Sequence, residues 1–341
     1  MRIGSNPEKF KKELETEIYH RVVIPVYIPH FEDYFKDALE IFKLNIHSLL
    51  KTCHEKTRIT LFNNNSHSLV KEYLDELYRD NEKIDQVFHS KENLGKINAI
   101  LSAVKGNLEP LITIADSDVM FKHNWQKEVE KIFINFPKAG LVSPVPNSVS
   151  YKYYTANNFF DAVFGSSKLR FQKVVEPSEM QRFEDSLGPE VSLFSEKHLE
   201  KYLTLSRKGF RAVMGAGHFV ATIRREVFDK GTNSPAFIKI QGGVENKFID
   251  KPNEDLGLLR LSTMSNYAYH LGNVTEDWMF EEFQKISENK PNSFTEYSNT
   301  NFLKTSKLKI KIGKAFRKIL LSKFLKKKYF KMIGLDDGKN Y

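Results

Sequence analysis

Between about residue 21 and residue 145 the apolar positions of this chain switch repeatedly between two periods. Arg21–Tyr27, Arg58–Phe62, Gln86–His89, Leu111–Ala115 and Gly140–Ser143 are short apolar runs rich in β-branched residues, and they read as strands. Between them the spacing turns helical. Phe35, Leu39, Phe42, Ile46 and Leu49 share one face over 35–50, and Leu69, Tyr73, Leu74 and Leu77 form another, with Ser66 expected as its cap. Two more helices are expected over 95–105 and 125–136, the second stopped by Pro137. Strands that alternate with helices predict an α/β fold, a mostly parallel central sheet flanked by helices.

The pattern is less regular from about Val145 to Arg211, where Tyr151, Tyr153, Tyr154, Phe159, Phe160, Phe164 and Phe171 cluster. A helix is expected over 190–205, a strand over 219–223 and a helix start over 224–228. Asn253 is placed to cap a helix over 254–264, and 267–271 reads as a last strand. No repeat or low-complexity linker separates these parts. The expected organisation is an N-terminal extension (1–20), one domain (21–290, with halves about 21–145 and 146–290) and a tail (291–341).

Charge changes the picture of that tail. The net charge is +9, yet residues 302–335 hold twelve Lys or Arg and no acid, which leaves the remainder at about −3. A mildly acidic body argues against a general nucleic-acid surface. Within the tail, Phe316, Ile319, Leu320 and Phe324 fall on one helical stripe among lysines and Arg317. Such a segment suits an anionic membrane surface, here through residues 303–333. Alternatively the stripe packs on the domain or on another subunit. The single cysteine, Cys53, excludes an internal disulfide framework and fits a reducing compartment. No run approaches the ~20 apolar residues needed to span a bilayer, and the first 17 residues lack an apolar core. These features point to a cytoplasmic protein, peripheral on the membrane.

The chemistry concentrates at Asp116-Ser117-Asp118, which follows the apolar run Leu111–Ala115. Ligands in open α/β sheets bind beyond the carboxyl ends of strands, and carboxylates there suit a hard divalent cation carrying a diphosphate. An isolated Asp-x-Asp also simply caps turns. Four further segments accompany it in order: Pro25 and Tyr27 in the first strand, Phe62-Asn63-Asn64-Asn65-Ser66, Asn93-Leu94-Gly95-Lys96, and Asn253-Glu254-Asp255 leading to Arg260.

Together these five segments, from about Val22 to Gly272, resemble the family 2 glycosyltransferases with their GT-A nucleotide-sugar fold. The resemblance implies a donor half at 21–145 and an acceptor half at 146–290. It also implies an inverting transfer from a nucleotide sugar, expected to be a UDP-sugar, to a growing surface glycan or lipid-linked acceptor. Pro25, Tyr27, Asn63, Asn93, Lys96, Asp116 and Ser117 would hold the donor. Asp118, with His270, would hold Mn2+ or Mg2+, and Gly217 and His218 would lie toward the acceptor. Asp255 or Glu254 would be the general base, Asp255 preferred, although acidic residues also favour a helix start without catalysis. Asn63 departs from the usual Asp, and an amide still offers a donor and an acceptor to a base edge. A sugar-nucleotide-forming nucleotidyltransferase would need a Gly-rich basic loop where Pro25–His30 stand, and a non-catalytic scaffold would have no use for the carboxylates.

Overall fold

The computed structural model describes residues 17–232, 234–237, 245–288 and 305–335, with residues 4, 5, 9, 297 and 341. Most of the expected N-terminal extension and the start of the expected tail lie outside the described residues.

The first half alternates as expected. Strands β1 (His20–Val26), β2 (Thr57–Asn64), β3 (Ile84–Ser90) and β4 (Leu111–Ala115) are separated by helices α1 (Ala38–Thr52), α2 (Ser68–Asp80) and α3 (Lys96–Lys105). After β4 come a short β5 (Val119–Phe121), α4 (Trp125–Asn135) and β6 (Ala139–Ser143). The cap of α2 is His67 rather than Ser66. Ser66 instead accepts from the Ile28 amide and donates to Val26 O, so it ties the end of β1 to the end of β2.

The second half departs from the expected pattern. It runs α5 (Ala156–Phe164), β7 (Lys168–Lys173), α6 (Pro177–Asp185), α7 (Glu196–Glu200), β8 (Lys201–Arg207), β9 (Phe210–Met214), β10 (Val220–Arg224) and α8 (Arg225–Lys230). Then follow a π-helical turn Asn246–Asp250 and α9 (Lys251–Asp255), β11 (Leu259–Ser262), β12 (Ala268–His270), α10 (Asp277–Glu288), α11 (Lys307–Leu320) and α12 (Lys323–Met332). The helix expected over 190–205 is therefore only α7, with irregular backbone over 190–195 before it and strand β8 after it. Leu199, Tyr202 and Leu203 imitate helical spacing, but antiparallel pairing with β7 and β9 takes Lys201–Arg207 into the sheet.

The helix expected over 254–264 starts earlier and ends at Asp255. Gly257 has φ 80°, its N–H donates to Glu254 O at 3.0 Å, and the Leu258 N–H donates to Asn253 O at 3.1 Å. This paired closure on a left-handed glycine stops a helix. Asn253 thus lies inside α9 and does not cap it.

Ten strands form one sheet in the order β3-β2-β1-β4-β10-β6-β11-β9-β8-β7. β3, β2, β1 and β4 are parallel, as are β6 and β11, while β10 runs against both β4 and β6. The chain leaves β1 toward β2 and β3, then returns to lay β4 on β1's other side. That reversal leaves a crevice at the carboxyl ends of β1 and β4, where open α/β sheets bind ligands.

The tail belongs to the same core. Gly313 of α11 lies so close to α5 that a Cβ there would sit 3.0 Å from Ala156 O. Ile310, Leu320 and Phe330 are buried, and Tyr341 donates to Lys201 O at 2.9 Å. The expected stripe is split, with Phe316 and Leu320 packed inward while Ile319 and Phe324 remain exposed.

Candidate active site

A cleft of about 320 Å³ opens at the crevice between β1 and β4. One wall is apolar and aromatic, made of Pro25, Tyr27, Ile28, Tyr34, Phe35 and Ile41. The other is polar, made of Asn64, Asn93, Lys96, Asp116, Ser117, Asp118 and Glu245.

Local structure explains how each polar group arrives there. Asn93 Oδ1 accepts from the Gly95 N–H and from Asn64 Nδ2, both at 2.9 Å, while Asn64 Oδ1 accepts from the Leu94 N–H at 2.8 Å. The two amides clamp the turn into α3, where Gly95 takes φ 79°. The amino end of α3 then opens on the cleft, a place suited to an anion. The carboxyl end of β4 delivers Asp116, and the turn after it is braced by buried Asn45, whose Nδ2 donates to Val119 O at 2.6 Å and Asp116 O at 3.2 Å.

Lys96 Nζ lies 2.5 Å from Asp116 Oδ1 and 3.4 Å from Glu245. Burial works to lower the pKa of this ammonium, but Asp116, Glu245 and Asp118 outweigh it and raise it. The lysine is a fixed positive charge in the cleft.

Asp118 and His270 come together through the small β5–β12 sheet, in which His270 pairs with Val119. His270 Nε2 is 3.5 Å from Asp118 Oδ2, and Asp118 Oδ1 is buried without a hydrogen bond. Ser186 Oγ donates to Phe183 O at 2.7 Å and therefore accepts from His270 Nδ1 at 2.9 Å. In the neutral imidazole this assignment makes Nε2 the acceptor nitrogen, 3.5 Å from the carboxylate. Burial first, and the neighbouring Asp116, push the Asp118 carboxyl up, against His270 and Lys96. Two acceptors and an orphaned oxygen are the donor set that a divalent cation satisfies.

With this geometry in place, residues 22–232 match the sequence pattern of glycosyl transferase family 2. The chain belongs to that family. Its mostly parallel sheet flanked by helices is of the family's GT-A type. No curated protein matches the sequence. Among solved structures the chain is similar to S. aureus TarS 1–349 in complex with UDP (TM-score 0.45, 11% identity, 79% of this chain and 64% of that one). It is also similar to GalNAc-T7 with UDP, GalNAc and Mn2+ (TM-score 0.47, 17% identity, 80% of this chain and 48% of that one). A third is the mannosyltransferase PcManGT from Pyrobaculum calidifontis with GDP-Man and Mn2+ (TM-score 0.40, 12% identity, covering 83% and 70%). The chain thus spans less than two thirds of the first two.

Of the site residues expected for such an enzyme, the fold brings Pro25, Tyr27, Asn93, Lys96, Asp116, Ser117 and Asp118 into one cleft, with His270 behind Asp118. Asn63 is not among its walls. Its Oδ1 accepts from the Ser66 N–H at 2.8 Å and its Nδ2 bonds His89 at 3.0 Å, so the amide is used internally. Successive strand residues point to opposite faces, and it is Asn64 that reaches the cleft.

Glu254 and Asp255 are also placed elsewhere. Glu254 is buried, accepts from the Ala156 N–H at 3.2 Å and faces Lys314 at 3.3 Å and Arg317 at 3.5 Å. Asp255 is paired with Lys251 and, at 2.9 Å, with Lys314. Burial would raise its pKa, but these lysines hold it below the usual carboxylate range. Both carboxylates fasten α9 to the tail helix α11 and line no part of the cleft. His218 faces Asp250 at 2.9 Å and Arg260 at 3.2 Å, again outside the cleft lining. A Cβ on neighbouring Gly217 would meet nothing nearer than 3.6 Å, so no close approach requires that glycine.

The cleft carboxylate that sequence reasoning missed is Glu245, just before the π-helical turn. Asn45, Asn64 and Ser186 were missed as well. For Asn64 the signal was present in strand alternation, and Glu245 offered none beyond an acid at a helix start.

Proposed function

We propose that this family 2 glycosyltransferase moves a sugar from a nucleoside-diphosphate sugar to an acceptor hydroxyl, with inversion, in a metal-dependent reaction. The observation that carries this reading is the pair of facing acceptors, Asp118 Oδ2 and His270 Nε2, beside the orphaned Asp118 Oδ1.

The apolar wall of Pro25, Tyr27 and Phe35 suits a nucleobase, with Asn64 and Asn93 at its polar edge. Uracil is the base favoured here. Lys96 and the amino end of α3 receive the diphosphate. Mn2+ or Mg2+ held by Asp118 and His270 would supply charge neutralisation at the departing diphosphate. Asp116, held by Lys96, is positioned for the ribose hydroxyls.

The acceptor hydroxyl needs a carboxylate to take its proton. Glu245 fills that role better than Asp255 or Glu254, because it lines the cleft while they are bound to the tail. Lys96 Nζ spans Asp116 and Glu245, so a donor that draws the ammonium onto its diphosphate frees Glu245 to act as a base. The acceptor is proposed to be a glycan or lipid-linked glycan at an anionic membrane surface.

The tail supports the membrane part. Phe324 is 94% exposed, Met332 76% and Leu308 68%, all on helices that carry lysines and no acid. Among the described residues no helix is long and apolar enough to cross a membrane. Attachment would therefore be peripheral.

The direct test is to screen sugar nucleotides for release of nucleoside diphosphate with Mn2+, with Mg2+ and with chelator, and to read the anomeric configuration of any product by NMR. Release that needs metal, with an inverted product, supports the proposal. A retained configuration, or equal release in chelator, contradicts it.

A further inference from the structure

A second polar cluster lies at the opposite end of the sheet. His20 opens β1, His54 precedes β2, and Glu130 belongs to α4; their facing ligand atoms all lie within 4.8 Å of one another. β1 carries Pro25 to the cleft from this end, and seven residues at about 3.3 Å each put the two places on the order of 20 Å apart.

His20 Nδ1 is 3.2 Å and His54 Nε2 3.0 Å from the same oxygen, Glu130 Oε1. The far nitrogen of each ring meets a hydroxyl, His20 Nε2 at 2.7 Å from Thr113 Oγ1 and His54 Nδ1 at 3.2 Å from Thr57 Oγ1. Such outer hydrogen bonds orient metal-ligating histidines. Tyr19 Oη stands 3.2 Å from His54 Nε2 and 3.4 Å from Glu130 Oε2.

Gln126 Oε1 accepts from the His54 N–H at 2.8 Å, so its amide nitrogen must face Thr57 Oγ1 at 2.9 Å and His20 Nδ1 at 3.1 Å. A donor at that position makes Nδ1 the unprotonated nitrogen of His20 and leaves Nε2–H to donate to Thr113. The same Nδ1 lies 3.2 Å from Glu130 Oε1, with the two side chains 0% and 1% exposed. A metal ion bound there would take the Nδ1 lone pair in place of the Gln126 amide and neutralise the buried carboxylate.

We propose that His20, His54 and Glu130 bind a structural zinc ion, with the Tyr19 hydroxyl or a water in the fourth position. Zinc bonds of about 2.0–2.1 Å in a tetrahedron place ligand atoms roughly 3.3 Å apart, close to the 3.2 and 3.0 Å from the two imidazole nitrogens to Glu130 Oε1. Two imidazoles and a carboxylate are a ligand set that zinc accepts. The ion would tie the start of β1, the α1–β2 connection and α4 together, and it is separate from the cation proposed at Asp118.

The test uses the full chain in an Asp118→Asn background, which removes the cleft ligand while leaving this cluster intact. Elemental analysis after dialysis is expected to find one bound zinc per chain. Cobalt substituted for it should give the intense visible d–d bands of a tetrahedral site. Stripping with a strong chelator should lower the melting temperature, and zinc should restore it. His54→Gln, at the rim of the cluster, should abolish the cobalt bands. If that variant fails to fold, the wild-type chain decides: absence of zinc together with absence of cobalt bands on titration overturns the proposal. It is equally overturned if folded His54→Gln binds zinc as before, or if Asp118→Asn alone removes the ion.

Discussion

His270 reaches Asp118 only because β12 pairs with β5, which sets the imidazole Nε2 3.5 Å from the carboxylate Oδ2. The two residues are far apart in the chain, and the turn between β4 and β5 that presents Asp118 is held by Asn45. A small two-stranded sheet and one buried amide thus hold Asp118 and His270 as the facing pair proposed to bind the cation.

Asp118→Asn is expected to reduce transfer by at least about a hundredfold, since an electrostatic contact to the leaving group is lost. His270→Ala should weaken metal dependence in the same direction, with a smaller loss. Initial rates at buffered metal concentrations measure both. Near-parental turnover of Asp118→Asn would remove this pair from the mechanism.

Glu245→Gln should lower turnover by roughly 10²–10⁴-fold while leaving donor affinity nearly intact, as expected for a general base acting on the acceptor. Asp255→Asn should instead change stability modestly and spare turnover, because that carboxylate serves Lys251 and Lys314. Parallel kinetics on the two variants with donor binding measured by calorimetry separate these roles. The opposite pattern would return the base to α9.

Gly257→Ala is expected to destabilise the fold by roughly 1–3 kcal/mol, because the position holds a left-handed conformation. The added Cβ would also press on the Thr305 side chain. Urea unfolding with fluorescence detection reads the effect, and an unchanged midpoint would mean that the helix stop does not depend on this glycine.

The tail carries two separable properties. Phe324→Ser combined with Met332→Ser should weaken binding to anionic vesicles without changing the melting temperature, since both side chains are exposed. Removing residues 305–341 should lower the melting temperature, since it strips Ile310, Leu320 and Phe330 from the interior. Vesicle binding should also fall as salt rises. Sedimentation with vesicles at two salt concentrations checks this, and indifference of the intact chain to vesicles would remove the membrane role.

Much of the first half could be read from the chain because its parallel strands are short apolar runs separated by amphipathic helices. Arg58–Phe62 and Leu111–Ala115 carry that signal plainly. The second half hid its antiparallel strands, because Leu199, Tyr202 and Leu203 match helical spacing until β7 and β9 are there to pair. The helix stop at Gly257 was not read, because the apolar residues beyond it, Leu258, Leu259 and Leu261, suggested continuation. In the site, Asp116, Asp118 and Lys96 were legible from motif and position. Glu245 was not, because an acid before a helix looks the same whether it faces a cleft or solvent. Glu254 and Asp255 fitted the motif, yet their surroundings are set by Lys314 and Arg317 about sixty residues later.

The most direct measurement of the central claim is calorimetric titration of UDP into the intact protein and into Asp118→Asn, with Mn2+ and with chelator. The account predicts that UDP binds the intact protein far more tightly with Mn2+ than without, and that this gain disappears in Asp118→Asn. Equal UDP affinity in chelator and in Mn2+, or a gain that persists in Asp118→Asn, would contradict it.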